Sequence, residues 1–352
     1  MYKRQDKLYE EWDYDGSGSV MVPSLDSSIA LPGTFVSNVY HAVSAGEPGF
    51  SFNFGKFEDE TARNACAEFI SDRDSDVCNL GSINFSRISS REELRDVVSV
   101  ASKFLVCGSL RSELPTEKCR TVREESRKIG LGIMGLHEWL IQRNSRYEVT
   151  PELHQWLEVW KDESELSANA HADRFFIGRP QRYRAIAPAG TIGIIAGTTS
   201  GCEPVFASAY KRRYLENGSS WKYEYVIEPV AERMKEEYGI HPDDIEDSFI
   251  LAADPERRIK FQYDLQKYVD MGISSTLNIP EWGSETNNPD TVSTMAALVA
   301  KYAHGLRGLT FYPQNSRGGQ PLTKVPYEEA KAQTGVVYTE NEETCPGGVC
   351  GI

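Results

Sequence analysis

Helix-start signals alternate with short apolar runs along this chain, and that alternation narrows the fold to an α/β layout. Ser90-Arg91-Glu92-Glu93 is a capping box with Glu at N3. It opens a helical run from Leu94 to Cys107, with apolar residues at helical spacing. Thr150-Pro151 reads as N-cap and N1 of a long helix reaching about Phe175. Asn288-Pro289-Asp290 repeats the signal, and Gly305 closes that helix after His304. Tyr183 to Pro188 and Gly308 to Tyr312 are short apolar runs with strand character. A further helix is expected from Arg127 to Leu140, carrying Gly130, Gly132 and Gly135. Glycine costs about 1 kcal/mol against Ala inside a helix, so these three point to close packing against another backbone.

Bulk properties exclude several classes. A chain of 352 residues with 40% hydrophobic content can bury a real core, as one large domain or two. A net charge of -14 argues against broad contact with nucleic-acid backbones, although a nucleotide in a local pocket stays open. No run of about 18 apolar residues predicts a membrane span. The polar start, Met1-Tyr2-Lys3-Arg4, is not a signal peptide. Seven irregularly spaced cysteines do not make a disulfide framework. The chain is therefore expected in the cytoplasm, with its cysteines as thiols. From Val325 onward the sequence turns polar and acidic. The expected division is a folded part, residues 1–324, and a flexible tail, residues 325–352.

Chemistry concentrates at Asn64-Ala65-Cys66-Ala67-Glu68, followed twelve residues after Cys66 by Cys78-Asn79-Leu80-Gly81-Ser82-Ile83-Asn84. If residues 64–68 are extended, Asn64, Cys66 and Glu68 share one face and the alanines turn away. Such a face suits sulfur redox chemistry and makes a poor core, because a buried carboxylate needs a partner. The terminal pair Cys345 and Cys350 can close a small disulfide ring and suits thiol–disulfide exchange. An arm hinged at Gln320 would have an r.m.s. reach of about 25–30 Å to Cys345. A structural zinc ion wants four ligands, and no second pair stands near the terminal cysteines, so no metal site is expected. Ala187-Pro188-Ala189-Gly190-Thr191-Ile192-Gly193 is a Gly/Thr-rich turn after a strand, which fits either phosphate binding or a tight structural turn. Tyr312, at the end of an expected strand, is a weaker candidate for an aromatic beside a redox site. His137, His154 and His171 lack metal-pair spacing and read as structural or surface groups.

These motifs, in this order, resemble the catalytic subunit of ribonucleotide reductase. Gly46-Glu47-Pro48-Gly49-Phe50 and Gly132-Ile133-Met134-Gly135-Leu136 are also similar to that family. The resemblance implies the C-terminal part of a ten-stranded α/β barrel, incomplete. It implies that Cys66 carries a thiyl radical that takes the 3′ hydrogen of a ribonucleotide, with Glu68 as general base and Asn64 holding substrate. Cys78 would be one of two thiols that reduce the 2′ carbon, and Cys345 and Cys350 would restore it. Ala189, Gly190, Thr191 and Ile192 would hold the substrate phosphates. The reaction would yield 2′-deoxyribonucleotides, with a thioredoxin- or glutaredoxin-like reductant behind it.

Two departures from the family pattern carry expectations of their own. The partner of Cys78, the specificity region and the first barrel half have no counterpart in the residues before Cys66, so an N-terminal partner polypeptide is expected to complete the barrel. The relay that brings a radical from a metal-containing subunit uses two adjacent tyrosines, and here the pair is Phe311-Tyr312. Adenosylcobalamin is the expected radical source, although Gln314-Asn315-Ser316-Arg317 looks like the subunit-dependent type. Two other readings are a non-catalytic thiol carrier or redox switch, which would need the tail cysteines but not Glu68, and a cysteine hydrolase using Cys66 and His41.

Overall fold

Five extended segments run side by side in one direction through the computed structural model, which describes residues 31, 33–54, 58–216, 220–316 and 322–339. In chain order the strands are β1 (Phe50–Ser51), β2 (Ala62–Arg63), β3 (Ile70–Ser71), β4 (Asn79–Asn84), β5 (Ile129–Met134), β6 (Ala209–Glu216), β7 (Ser220–Ile227), β8 (Thr276–Ile279), β9 (Gly308–Pro313), β10 (Leu322–Lys324) and β11 (Val337–Thr339). β4 pairs with β5 in parallel, Asn79 opposite Ile129. The N–H groups of Ile129 and Leu131 donate to the carbonyls of Arg182 and Tyr183. Ile186 then bridges Ile273 in parallel, and β8 pairs in parallel with β9. Order in space equals order in sequence, with helical crossovers between neighbours. This is the succession of strands in part of an α/β barrel. β1 runs antiparallel on the far edge of β9, Phe50 opposite Leu309.

Two apolar layers pack the helices onto this array. One joins Phe85, Leu131, Trp139, Trp156 and Trp160 under the Arg91–Arg111 and Pro151–Arg174 helices. The other joins Phe35, Phe50, Phe311 and Val299 under the Gly33–Ala45 and Val292–Ala303 helices. Ser90 caps its helix through Oγ, which accepts from Glu93 N–H at 3.1 Å. Glu93 returns the contact one residue early, to Ser89 N–H at 2.7 Å. Thr150 caps the long helix as expected. None of the helices among the described residues is long and apolar enough to cross a membrane.

Two expectations are corrected. The stretch expected as a helix from Arg127 is strand β5, wholly buried, and helix resumes only at Leu136. Four apolar residues interleaved with glycines carry no usable helical period, so length and glycine had to decide. The glycines do mark close approach: a Cβ on Gly132 would stand 2.5 Å from the Ala185 carbonyl oxygen. The second correction concerns the tail. Residues 325–339 are ordered as a helix, Tyr327–Gln333, and strand β11. β10 pairs with β6 and β11 with β7. Tyr327 and Ala330, three apart, bury against Ala209. Few apolar residues suffice there because the β6–β7 hairpin supplies the rest of the surface. Residues 340–352, with Cys345 and Cys350, lie outside the described residues.

Among the described residues, strand β4 is the exposed margin of the parallel array. All six residues of β5 are buried, yet only Ile83 of β4 is, and Leu80 is 39% exposed.

His137 is buried, and its Nδ1 accepts from Val205 N–H at 2.8 Å. Burial, reinforced by Arg258 and Arg257, lowers its pKa to about 3. Below about pH 6.5 the unfolded chain takes up a proton that the folded chain refuses, so stability falls as pH drops from 6.5 toward 3. The urea midpoint should therefore fall over that range, and less steeply in His137→Gln. An equal slope in the variant would contradict this. In a second comparison, Gly132→Ala should lose about 1–3 kcal/mol of stability from overpacking. Gly190→Ala, which meets nothing within 4 Å, should be near neutral.

Candidate active site

The β2–β3 hairpin carries the sulfur-rich motif. Ala62 stands opposite Ser71 and Arg63 opposite Ile70. The residues between them are a turn, not a strand: Asn64 N–H donates to the Phe69 carbonyl at 3.3 Å, and Ala67 N–H to the Asn64 carbonyl at 3.0 Å. Ala67 has φ of 64°, the left-handed region. The expected alternation of Asn64, Cys66 and Glu68 on one strand face is thus broken. Instead the turn exposes Cys66 at its tip and buries Glu68, which is 3% exposed. Asn64 Oδ1 is occupied, accepting from Phe69 N–H at 3.1 Å. Only its amide N–H groups are left to donate to a ligand.

The turn docks on the barrel strands. Gly272 N–H donates to the Glu68 carbonyl at 2.8 Å. A Cβ on Gly272 would overlap the Ala67 carbonyl oxygen, so glycine is required there by space alone. Cys78 lies at the hairpin root, in a small cluster with Phe69, Ile70, Ala185 and Met271. A Cβ on Gly130 would come within 3.2 Å of its sulfur. Cys66 and Glu68 thus lie on the turn and Cys78 in the cluster at the root of the same hairpin. Burial pushes the Cys66 thiol up, and the Glu68 carboxylate adds to the effect. Burial pushes Cys78 much further up, with Asp76, Asp270 and Glu68 adding and Lys128 opposing. Glu68 Oε2 is buried and has no hydrogen-bond partner among the described residues. A buried carboxylate oxygen without a donor is costly and points to a group that arrives from outside.

Ion clusters that the sequence did not announce hold both legs of the hairpin. Glu60, before β2, pairs with Arg182 and with Arg307, the latter at 2.7 Å. Lys128, before β5, pairs with Asp76 at 2.9 Å and donates to Ser71 at 2.7 Å. No local spacing links residues so far apart in the chain. The only available signal was a charge at each end of an apolar run.

The candidate phosphate turn begins three residues beyond Ile186, whose strand neighbour Gly272 holds the hairpin. Three residues span about 10 Å at most. Ala189 sits at φ of 53° as N-cap of the Gly190–Ala196 helix, with no side-chain cap. Gly190 has open space around it, and Thr191 and Ile192 are exposed. Ile194 and Ile195 are about 80% exposed, an unusual apolar face. Tyr312 is half-buried on β9, and Phe311 is buried in the outer layer with Phe50. His154 and His171 are partnered by Tyr268 and Cys107, on the helical layer.

The family model for the ribonucleotide reductase barrel domain matches residues 53–154 and 179–312. A vitamin B12-dependent ribonucleoside-diphosphate reductase of Mycobacterium tuberculosis is 28% identical over 312 residues, covering 78% of this chain and 43% of that protein. The enzyme of the same description from Thermoplasma acidophilum is 29% identical over 332 residues, covering 78% of this chain and 42% of its own length. The chain thus spans less than half of these two relatives. A crystal structure of a B12-dependent, class II ribonucleotide reductase has the same fold, with a TM-score of 0.67 at 15% identity over 85% of this chain and 47% of that one.

The geometry orders the thiols. At pH 8, iodoacetamide should modify Cys66 at least about tenfold faster than Cys78, since reactivity follows thiolate fraction and access. Cys202, fully buried, should stay unmodified. Peptide mass spectrometry reads all three, and faster labelling of Cys78 would be inconsistent with its burial.

Proposed function

The chain belongs to the ribonucleotide reductase barrel-domain family, and from that membership we propose that it supplies the radical and thiol half of an enzyme reducing ribonucleotides to 2′-deoxyribonucleotides. The observation that carries this reading is the unpartnered, buried Oε2 of Glu68, on the turn that carries Cys66. Cys66, at the exposed tip, is the atom that takes the 3′ hydrogen as a thiyl radical. Glu68 accepts the 3′ hydroxyl proton through its buried Oε2. Asn64 contributes through its amide N–H groups, while its oxygen accepts from the turn. Cys78 gives one of the two reducing equivalents at the 2′ carbon, and Cys345 and Cys350 restore it by exchange, with a thioredoxin- or glutaredoxin-like protein as the ultimate reductant. Ala189, Gly190, Thr191 and Ile192 receive the phosphates at an uncapped helix start.

Adenosylcobalamin fits the residues present better than a tyrosine relay does. Phe311 has no O–H and is buried in the outer layer, while Cys66 is open to an approaching radical source. When bound, the cofactor supplies a carbon radical. The chain's own part is to present Cys66 to it on a turn pinned by Gly272.

The margin at β4, with the exposed isoleucines Ile192, Ile194 and Ile195, supports a need for further barrel strands. An edge strand with apolar neighbours offers unpaired backbone groups to another strand. We assign that role to a polypeptide carrying the N-terminal barrel half and the second thiol.

The test is a turnover assay of the chain mixed with such a half, with and without adenosylcobalamin. Turnover should require both additions, and a requirement for a separate metalloprotein would displace the cofactor assignment. Cys66→Ser should abolish turnover, and Glu68→Gln should lower it by about 10²–10⁴-fold, the range for losing a general base. Unchanged turnover in Glu68→Gln would leave the thiol-carrier reading in possession.

A further inference from the structure

Lys128 stands immediately before β5 and Cys78 immediately before β4. The parallel register, with Asn79 opposite Ile129, sets these two residues opposite one another. Opposed residues of neighbouring strands point to the same face. Gly130, two residues on from Lys128, is the position over which the Cys78 sulfur lies. The Lys128 side chain is 1% exposed, and so is that of its partner Asp76. Its Nζ donates to Ser71 Oγ at 2.7 Å and lies 2.9 Å from Asp76 Oδ2 and 3.3 Å from Asp72 Oδ1. Ser71 in turn donates to Asp76 at 2.7 Å, and Ser126 to the other Asp76 oxygen at 2.9 Å. Asp76, Asp270 and Glu68 act to raise the Cys78 thiol pKa, and Lys128 acts to lower it.

We propose that Lys128 is a positioning residue of the thiol centre: its buried ammonium ties the descending hairpin leg to the strand carrying Cys78 and sets the positive charge beside that sulfur. The proposal rests on the reading of Cys78 as an exchange thiol. When a disulfide at Cys78 opens, the attacking thiolate bonds to the partner sulfur. The S–S electron pair leaves on Cys78, and negative charge arises among three carboxylates. Lys128 is the group placed to offset it.

Methyl methanethiosulfonate tests this on the full chain without any turnover. The Cys78 thiolate displaces methanesulfinate and becomes Cys78–S–S–CH3, its proton having gone to solvent. Cys202 reports on the fold, because it is fully buried. At pH 8, Lys128→Met should slow modification of Cys78 about tenfold, equivalent to one pKa unit of thiolate, with Cys202 still protected. Lys128→Arg should stay within about threefold of the unaltered chain. Lys128→Gln is read in the same way should the Met variant expose Cys202. A purely structural role has the opposite sign, since a loosened hairpin admits reagent and speeds the reaction. Equal or faster modification of Cys78 in the neutral variants, or slow modification in Lys128→Arg, overturns the proposal. The reductase reading can fail in its own assay while this result stands, and the reverse also holds.

Discussion

One backbone hydrogen bond, from Gly272 N–H to the Glu68 carbonyl, fixes everything else at the site. It exists because Gly272 has no Cβ; any side chain there would displace the Ala67 carbonyl. The turn from Asn64 to Phe69 can then lie directly on a barrel strand, which buries Glu68 and leaves Cys66 at the tip. Interactions of side chains alone would leave the turn free to pivot by an ångström, and that is enough to spoil a hydrogen transfer. A backbone contact with no intervening side chain has less freedom.

The ion clusters at the hairpin legs act on the same geometry from farther away. Glu60 spans Arg182 and Arg307, one just before the run of residues 183–188 and the other just before β9, so the first leg is held across the array. Lys128 and Asp76 hold the second leg to β4 and β5. Buried pairs of this kind contribute little net stability relative to apolar replacements, because desolvation offsets the attraction. Removing one partner is far more damaging, since the other charge is left buried and alone. Their value lies in fixing one arrangement: the carboxylates and the ammonium can be satisfied together only with the hairpin in this seat.

How much of this was legible in the sequence depended on whether the determining contact was local. Ser90, Thr150 and Asn288 announce helix starts through hydrogen bonds within four residues, and all three cap as read. Gly308 to Tyr312 lies in strand β9 as read, while Tyr183 to Pro188 forms a single bridge, at Ile186, beside backbone hydrogen bonds to its neighbours. β5 failed because Ile129 to Met134 takes its conformation from strands on both sides, not from its own spacing. Residues 64–68 failed differently. An alternating Asn-x-Cys-x-Glu pattern is a fair strand signal, but the positive φ at Ala67 is imposed by the docking on Gly272, some 200 residues away in the chain. That Cys66 and Glu68 share one turn was nonetheless legible, because they stand two residues apart in the chain.

The tail shows how order in one segment limits chemistry in another. Hinged at Gln320, the arm to Cys345 would be 25 residues long, and distance would not constrain it. With β11 paired to β7 through Thr339, Cys345 lies six residues and Cys350 eleven residues beyond that pairing in the chain. At about 3.3–3.6 Å per residue, the spans are at most about 20 Å and 40 Å. The three-residue pairing of β11 lies at a sheet margin and the stacking of Tyr338 on Tyr223 is its main side-chain anchor. A strand that short is easily released, and each residue freed lengthens the arm. Under the proposed exchange, Cys345 reaches Cys78 only within the shorter radius and Cys350 only within the longer one, unless β11 parts from β7, so the strength of that small pairing sets how far each sulfur can travel.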